Sequence, residues 1–326
     1  MVMTKSPVDF GVIAKAVELA CRAPSLHNSQ PWRWVASHTA VDLFADPDRV
    51  VRSHDSSGRE ALISCGVALD HFRVAMAAAG WNTTVTQFPD PDNLDHVASI
   101  TFTPLEFVPQ AWRYRADAIL QRRTDRLPLR APTQSLELVL RSSWNGLATL
   151  DLLADDTRPR LAEAAHLTES IRRDDDFYHH DLQWWTAPFR LGEGVPPSAL
   201  ISSWERERVP ANRDFRDCGY GDRRAATPHD EAKVLVLSTP RDTGEDALNC
   251  GQVLSTLLLD CTMAGLATCP MTHITEIEAS REIIRQITGR KSMPQVLIRV
   301  GTAPAIEDIP VPTPRRSVRE VLEFRR

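Results

Sequence analysis

The feature that most constrains the fold is a segment of the first part of the chain that recurs in the second part. Residues 58–62 (GREAL) are matched by residues 244–248 (GEDAL). The pair Cys65-Gly66 is then matched by Cys250-Gly251, so the spacing within the second copy is shorter by a single position. Self-similarity at a nearly fixed offset is typical of chains that contain two copies of one structural unit.

Apolar residues at helical spacing continue beneath these matches. Positions 69, 72 and 76 are apolar, and so are positions 254, 257 and 261, which predicts two similar buried helices. A strand-like run follows each predicted helix, at residues 97–102 and 295–300. The order of elements therefore favours an internal duplication over a chance match. The two halves would span residues 1–110 and 111–326.

A polar loop lies between a predicted helix and a predicted strand near the start of the chain. Apolar residues from Ile13 to Cys21 recur at helical spacing, Pro24 ends the helix, and Trp32 opens a strand. The loop side chains could form hydrogen bonds to the edge of a planar heterocycle. The alternative is a capped helix-to-strand turn. The polar residues concerned are Ser25, Asn28, Ser29 and Gln30.

Two groups of arginines could bind a phosphate. Residues 122–126 read RRTDR, and Arg315-Arg316 follow a proline-rich run near the C-terminus. Guanidinium groups bind phosphate oxygens in bidentate fashion, and together the two groups suit one phosphomonoester. Taken alone, RRTDR fits a solvated basic turn better than a phosphate site, and Arg315-Arg316 have the same ambiguity.

The second predicted half is longer than the first because of residues 174–228. This segment mixes tryptophans with glycines and prolines. Long segments of this kind are lids or binding loops, or are disordered. The aromatic content favours a packed cover, which predicts a lid.

Several classes of protein are disfavoured by composition. A net charge of −5 argues against nucleic-acid binding, and no run of about 18–20 apolar residues is evident for a membrane span. The six cysteines include no C-x-x-C pair, which suits a reducing cytoplasm. No metal site is expected, because the adjacent side chains of residues 178–181 (YHHD) would point apart on a helix.

Residues 23–32 (APSLHNSQPW) resemble the APS-x-N-x-QPW loop of the nitroreductase superfamily, whose members are FMN-dependent enzymes that act as intimate dimers. Residues 122–126 look like the RRS-x-R phosphate motif of those enzymes. Residues 265–270 (GLATCP) are similar to their turn beneath the flavin, and residues 314–316 (PRR) look like their C-terminal basic pair. Length, duplication and the loop together look most like the Acg-like branch, in which two nitroreductase-like halves are fused.

The resemblance implies an α+β nitroreductase-like fold, a pseudo-dimer within one chain, and one FMN at the interface of its halves. Only the first half carries the flavin loop, because the corresponding residues 141–146 (RSSWNG) are degenerate. The second site should therefore be inactive. The flavin carries the chemistry, so no catalytic side chain is expected. The implied cofactor-binding residues are Ser25, Asn28, Ser29, Gln30, Arg122, Arg123, Thr124, Arg126, Thr268, Cys269, Pro270, Met271, Arg315 and Arg316.

Two functions remain open at this stage. The resemblance implies an oxidoreductase that takes hydride from NAD(P)H and passes it to a nitro or quinone acceptor, acting as a monomer. The alternative is a protein that stores or sequesters FMN beneath a closed lid, with little turnover. A flavin-free scaffold is a third and weaker possibility.

Overall fold

The computed structural model describes residues 7–133, 136, 146–187, 192–209, 211–215, 218–306 and 310–325. Residues 141–145 of the degenerate loop, and Phe189 of the predicted lid, lie outside these ranges. Within them, the helices are α1 (Phe10–Ala20), α2 (Arg59–Ala78), α3 (Gln110–Gln121), α4 (Arg158–Arg172), α5 (Asp176–Trp185), α6 (Ser203–Arg206), α7 (Gly244–Met263), α8 (Glu278–Thr288) and α9 (Val318–Val321). The strands are β1 (Trp32–Ala36), β2 (Ala40–Ala45), β3 (Trp81–Gln87), β4 (His96–Pro104), β5 (Thr149–Leu152), β6 (Lys233–Thr239), β7 (Ala267–Met271), β8 (Met293–Gly301) and β9 (Leu322–Phe324).

The strands form two sheets. The first sheet has the order β3-β4-β2-β1-β9 and the second the order β5-β6-β8-β7. Pairing is antiparallel throughout, except that β9 runs parallel to β1. Read in the reverse direction, the second sheet is β7-β8-β6-β5, which has the same arrangement as the first four strands of the other sheet. The C-terminal strand β9 thus adds to the sheet built from the beginning of the chain.

Helices α2 and α7 cross at two glycines. A Cβ atom on Gly66 would overlap the carbonyl oxygen of Leu248, and one on Gly251 would overlap the carbonyl oxygen of Ile63. Only glycine permits so close an approach of two helix backbones. The two glycines, Gly66 and Gly251, are positions that the sequence repeat matches with each other, and each lies against the backbone of the other helix.

One hydrophobic core joins both sheets to these helices. It contains Trp32 and Trp34 of β1 together with Leu235 and Leu237 of β6, all fully buried. The predicted seams of α2 and α7, from Leu69 onwards and from Leu254 onwards, lie in the same core. The structure therefore confirms the two predicted helices and the predicted strand that begins at Trp32.

Helix α2 differs from expectation in one respect. By length and composition, residues Arg59–Ala78 are apolar enough to cross a membrane. The prediction that no segment of the chain has this length and apolar character was therefore wrong. This apolar stretch of α2 is 83% buried inside the protein, as is expected of a helix in a hydrophobic core. Its apolar side chains pack against α7 and α1 in the core.

Candidate functional site

Two adjoining cavities lie beside the polar loop and the RRTDR segment, and the smaller one is also lined by the N-terminal part of α2 and by β7. The smaller cavity has a volume of about 110 Å³ and the larger one about 370 Å³. Both are lined by Pro24, Ser25, Thr124 and Arg126, so they share a wall. Predicted site residues from distant parts of the sequence are therefore close together.

Three arginines converge on the larger cavity from three separate segments. Arg22 follows α1, Arg122 follows α3, and Arg315 lies just before α9. Backbone carbonyls hold them: Arg122 and Arg315 donate to the oxygen of Arg22 at 3.4 and 3.2 Å, and Arg315 also donates to the oxygen of Pro314 at 2.9 Å. This arrangement fixes three positive charges in one place.

None of these three guanidinium groups forms an ion pair with a carboxylate among the described residues. The Nε and Nη1 atoms of Arg122 and the Nε atom of Arg315 are buried without a hydrogen-bond partner. Burial, together with the neighbouring arginines, lowers the pKa of Arg122 to about 10 and that of Arg315 to about 9. Buried cations without counter-charges are costly, so the cluster suits an anionic ligand.

The polar loop adopts an unusual backbone conformation. His27, Asn28 and Gln30 have φ angles of +49°, +57° and +52°, a region that residues other than glycine seldom occupy. Such strain persists where surrounding contacts fix it, and it is common at binding sites. Ser25 helps to fix this loop, because its hydroxyl oxygen accepts a hydrogen bond from the backbone N–H of Gln30 at 3.0 Å.

The amides of the loop bind protein carbonyls. Asn28 Nδ2 donates to the oxygens of Gly194 and Pro314 at 2.9 and 3.1 Å, and Gln30 Nε2 donates to the oxygen of Gly192 at 2.7 Å. These bonds tie the loop to the 174–228 segment and to the C-terminal tail. Asn28 still lines the larger cavity, whereas Ser29 and Gln30 line neither cavity.

The RRTDR residues diverge in their contacts. Arg123 lines the larger cavity and donates to the carbonyl oxygen of Pro310 at 2.5 Å. Arg126 lies 5.5 Å from the ring of Phe215, and burial lowers its pKa. Thr124 forms an isolated parallel bridge with Thr268, which positions this segment beside β7.

The remaining predicted site residues lie in β7 and in the C-terminal tail. Cys269, Pro270 and Met271 line the smaller cavity, and Thr268 lines neither one. Cys269 is buried, and burial raises the pKa of its thiol, which leaves it unreactive. Arg316 lines neither cavity: its backbone N–H donates to Gln30 Oε1 at 2.9 Å, and its guanidinium lies 3.8 Å from Asp46.

The smaller cavity contains buried polar atoms that have no hydrogen-bond partner. His27 Nε2, Glu60 Oε2, Asn212 Nδ2 and His273 Nε2 come from four different segments, and all four residues line this cavity. Burial lowers the pKa of both histidines well below its usual value, which leaves the imidazoles neutral. Several unpaired donors and acceptors around a small cavity favour a polar ligand.

Residues 174–228 lie against both cavities where they are described. Asn212, Arg213 and Phe215 line the smaller one, while Arg223 and Arg224 line the larger one with others from the same segment. Ion pairs fasten the segment: Arg224 binds Asp125 through two bonds of 2.7 and 3.1 Å, and Arg213 pairs with Glu276. Tyr178, Leu182, Val195, Leu200 and Phe215 form a small core within it.

Sequence reasoning missed several residues of this site, among them Arg22 and Glu60. Arg22 directly precedes the APS loop, and that adjacency was its only signal. Glu60 lies within the repeated GREAL segment, on the same helix face as Ile63, Ser64 and Val67 that lines the smaller cavity. Among the described residues, no group of three or more His, Cys, Asp and Glu side chains could hold a metal ion.

With this geometry established, sequence comparison assigns the class: the chain belongs to the nitroreductase family. A profile of the Nitroreductase family matches residues 153–302. A Mycobacterium tuberculosis (strain H37Rv) protein named "Putative NAD(P)H nitroreductase acg" is 52% identical over 326 residues, covering 99% of this chain and 98% of its own length. "Putative NAD(P)H nitroreductase Rv3131" from the same strain is 37% identical and covers 97% and 92%.

The chain also resembles solved structures at lower similarity. The FMN-dependent nitroreductase NfnB from Mycobacterium smegmatis, in complex with NADPH, is 21% identical with a TM-score of 0.40, covering 67% of this chain and all of that one. A structure titled "putative nitroreductase" from Anabaena variabilis is 11% identical with a TM-score of 0.44, covering 90% of this chain and 73% of that one. Because these scores are low, the family assignment rests on the full-length relatives.

Proposed function

We propose that this chain binds one FMN and acts as an oxidoreductase that takes hydride from NAD(P)H and reduces a nitro or quinone compound. The observation that carries the proposal is the cluster of Arg22, Arg122 and Arg315, which are buried or half-buried without a carboxylate partner at one end of the two adjoining cavities. A phosphomonoester with nearly two negative charges matches such a cluster. NfnB, a structural neighbour, is FMN-dependent and is in complex with NADPH.

The residues of the site fit FMN on two grounds. The unpaired guanidinium nitrogens would donate to phosphate oxygens, with the exposed Arg123 beside them. The larger cavity would accept the flavin beside the arginine cluster, and the unpaired Oδ1 atom of Asn28, which lines this cavity, would accept a hydrogen bond from the ring. Bound FMN would supply the hydride chemistry, while the chain binds its phosphate, orients its ring and excludes water.

We also propose that the site lies between two fused nitroreductase-like halves, at residues 1–110 and 111–326. Three observations support this: the matching strand orders, the equal lengths of α2 and α7, and the reciprocal contact of Gly66 with Gly251. Ser25 and Asn28 would come from the first half, and Arg122, Thr124, Arg126 and Cys269 to Met271 from the second. The proposal includes one FMN per chain, because the arginine cluster is found once among the described residues.

The stored-cofactor alternative is favoured by the 174–228 segment. Its described part lies against both cavities and is fastened by the Arg213–Glu276 and Arg224–Asp125 pairs. As a closed lid, it would keep a nicotinamide from stacking on the flavin, so turnover would be slow. The six free cysteines suit the cytoplasmic location that forms part of the same proposal.

The experiment that tests the proposal begins with the absorbance spectrum of the purified protein titrated with FMN. We expect saturation at one FMN per chain; a colourless protein that binds no added FMN would overturn the proposal, and two FMN per chain would refute the single site. NADPH is then added without oxygen. Rapid bleaching of the flavin supports the oxidoreductase, and persistent absorbance of oxidised flavin supports storage.

A further inference from the structure

Glu60 is a buried acid with one oxygen free to meet a ligand. Its Oε1 atom accepts a hydrogen bond from Arg59 at 3.1 Å, while its Oε2 atom is buried without a partner. The side chain lines the smaller cavity beside β7, on the α2 face that also carries Ile63. Glu60 therefore brings to the wall of the cavity one carboxyl oxygen that has no hydrogen-bond partner in the protein.

The charges around Glu60 favour its neutral form. Asp55 and Glu276 are carboxyl groups near Glu60, and the guanidinium groups that act on Glu60 itself are those of Arg59 and Arg213. Arg213 is bound by Glu276, and Arg59 also donates to Gln295 Oε1 at 2.8 Å and to other acceptors. Glu60 therefore shares both of its cations with other acceptors, and a proton on its carboxyl group avoids burying a negative charge whose Oε2 atom has no hydrogen-bond donor.

We propose that Glu60 is a neutral carboxylic acid whose Oε2 hydroxyl donates a hydrogen bond, and during reduction a proton, to an oxygen of the electron acceptor bound in the smaller cavity. The acceptor class is a quinone or nitro compound. This proposal rests on the proposed oxidoreductase function for its acceptor, but the protonation state of Glu60 does not depend on it.

The proton transfer balances with a two-electron reduction. Conversion of a quinone to a hydroquinone takes up one hydride and one proton, with both electrons coming from a nicotinamide donor. The O–H bond of Glu60 breaks, an O–H bond forms on the acceptor oxygen, and the carboxylate left behind takes its next proton from water. Arg59 stabilises that carboxylate in the interval.

Burial, followed by the nearby Glu276 carboxyl, raises the pKa of Glu60 to about 8. A ligand that needs the neutral acid loses affinity as pH rises through that value. At pH 9 about one-eleventh of Glu60 would be neutral, so such a ligand should bind about tenfold more weakly than at pH 6. The charged and titratable groups that surround Glu60 are Asp55, Arg59, His27, Arg126, Arg213, His273 and Glu276.

The first test uses infrared spectroscopy on protein without a ligand. We expect the carbonyl stretch of a protonated carboxylic acid at pH 6, its loss as pH rises towards 10, and its absence from Glu60→Gln. Persistence of the band in Glu60→Gln together with its loss in Glu276→Gln would assign the proton to Glu276 and overturn the proposal. Wild-type protein without the band at pH 6 would also overturn it.

The second test measures menadione binding to FMN-loaded protein by calorimetry, with no reductant present. Wild type should bind about tenfold more weakly at pH 9 than at pH 6. Glu60→Gln keeps a hydrogen-bond donor, so its affinity should stay near the wild-type pH 6 value at both pH values. Glu60→Leu removes the donor and should bind weakly at both. Equal pH dependence in wild type and Glu60→Gln, or no binding of menadione by wild type at pH 6, would refute the role of Glu60.

These tests separate the two proposals. If wild-type protein does not bind FMN, the proposed function fails, while the infrared band still decides the state of Glu60. If FMN binds and NADPH bleaches it, but the band remains in Glu60→Gln, the proposed function stands and the assignment of Glu60 fails. Thermal unfolding of each variant checks that the substitution has left the fold intact.

Discussion

Replacing Arg122 with methionine should move two measured quantities in opposite directions. Arg122 is buried beside Arg22 and has two nitrogens without partners. Methionine retains the length and apolar contacts of the side chain and removes the charge. We therefore expect Arg122→Met to stabilise the protein without FMN and to weaken FMN binding.

The magnitude follows from the pKa of Arg122. A decrease from 12.5 to about 10 corresponds to a penalty of about 3 kcal/mol on the buried cation. For a base, such a penalty is fully present below its pKa in the folded protein, and so at pH 7. Loss of the hydrogen bond to the Arg22 carbonyl offsets about 1 kcal/mol, which leaves a gain of about 2 kcal/mol in the free energy of unfolding.

The effect on FMN binding has the opposite sign. Removing a charge-assisted hydrogen bond worth about 1.5–3 kcal/mol should raise the dissociation constant about 10- to 150-fold. Urea unfolding without FMN and quenching of FMN fluorescence measure the two quantities. Both need a phosphate-free buffer, because inorganic phosphate would occupy the same cluster.

Arg290→Met is the matched control, since Arg290 is exposed and pairs with Asp151 at the surface. It should change neither quantity by more than about 0.5 kcal/mol. A less stable Arg122→Met protein with unchanged FMN affinity would refute the view that Arg122 is positioned to bind an anionic ligand.

Three further substitutions or reactions test other parts of the structure. Arg316→Met should change the FMN dissociation constant less than about threefold in the same titration, because Arg316 lies outside both cavities. A tenfold increase in the dissociation constant would show that Arg316 belongs to the phosphate site. Gly251→Ala should lower the free energy of unfolding in urea by more than about 3 kcal/mol, whereas Gly221→Ala, with open space around it, should not; equal effects would contradict the close helix crossing. Iodoacetamide at pH 8 should modify Cys218 before the buried Cys269 by mass spectrometry; the reverse order would show that β7 is accessible.

Local elements of the fold could be predicted from the sequence because they depend on local periodicity. Apolar spacing predicted α1 and α2, Pro24 marked the end of the first, and alternation predicted β4. Sheet order and the crossing of α2 with α7 depend on contacts between distant residues. Only the repeat provided a signal for those.

The candidate site was less predictable because adjacent residues play different parts. Arg315 and Arg316 are neighbours, yet the first joins the buried cluster and the second binds Gln30 and Asp46. A sequence pattern cannot say which of two adjacent side chains faces a cavity. The unpaired oxygen of Glu60 was still harder to foresee, since its burial depends on segments far away in the sequence.

The path of the C-terminal tail has a consequence for synthesis of the protein. Strand β9 pairs with β1, and Arg315 lies beside Arg22, although nearly the whole chain separates each pair. A ribosome translates from the N-terminus, so a nascent chain that ends at residue 300 lacks both the edge strand and one cation of the pocket. Cofactor capture should therefore follow translation rather than accompany it.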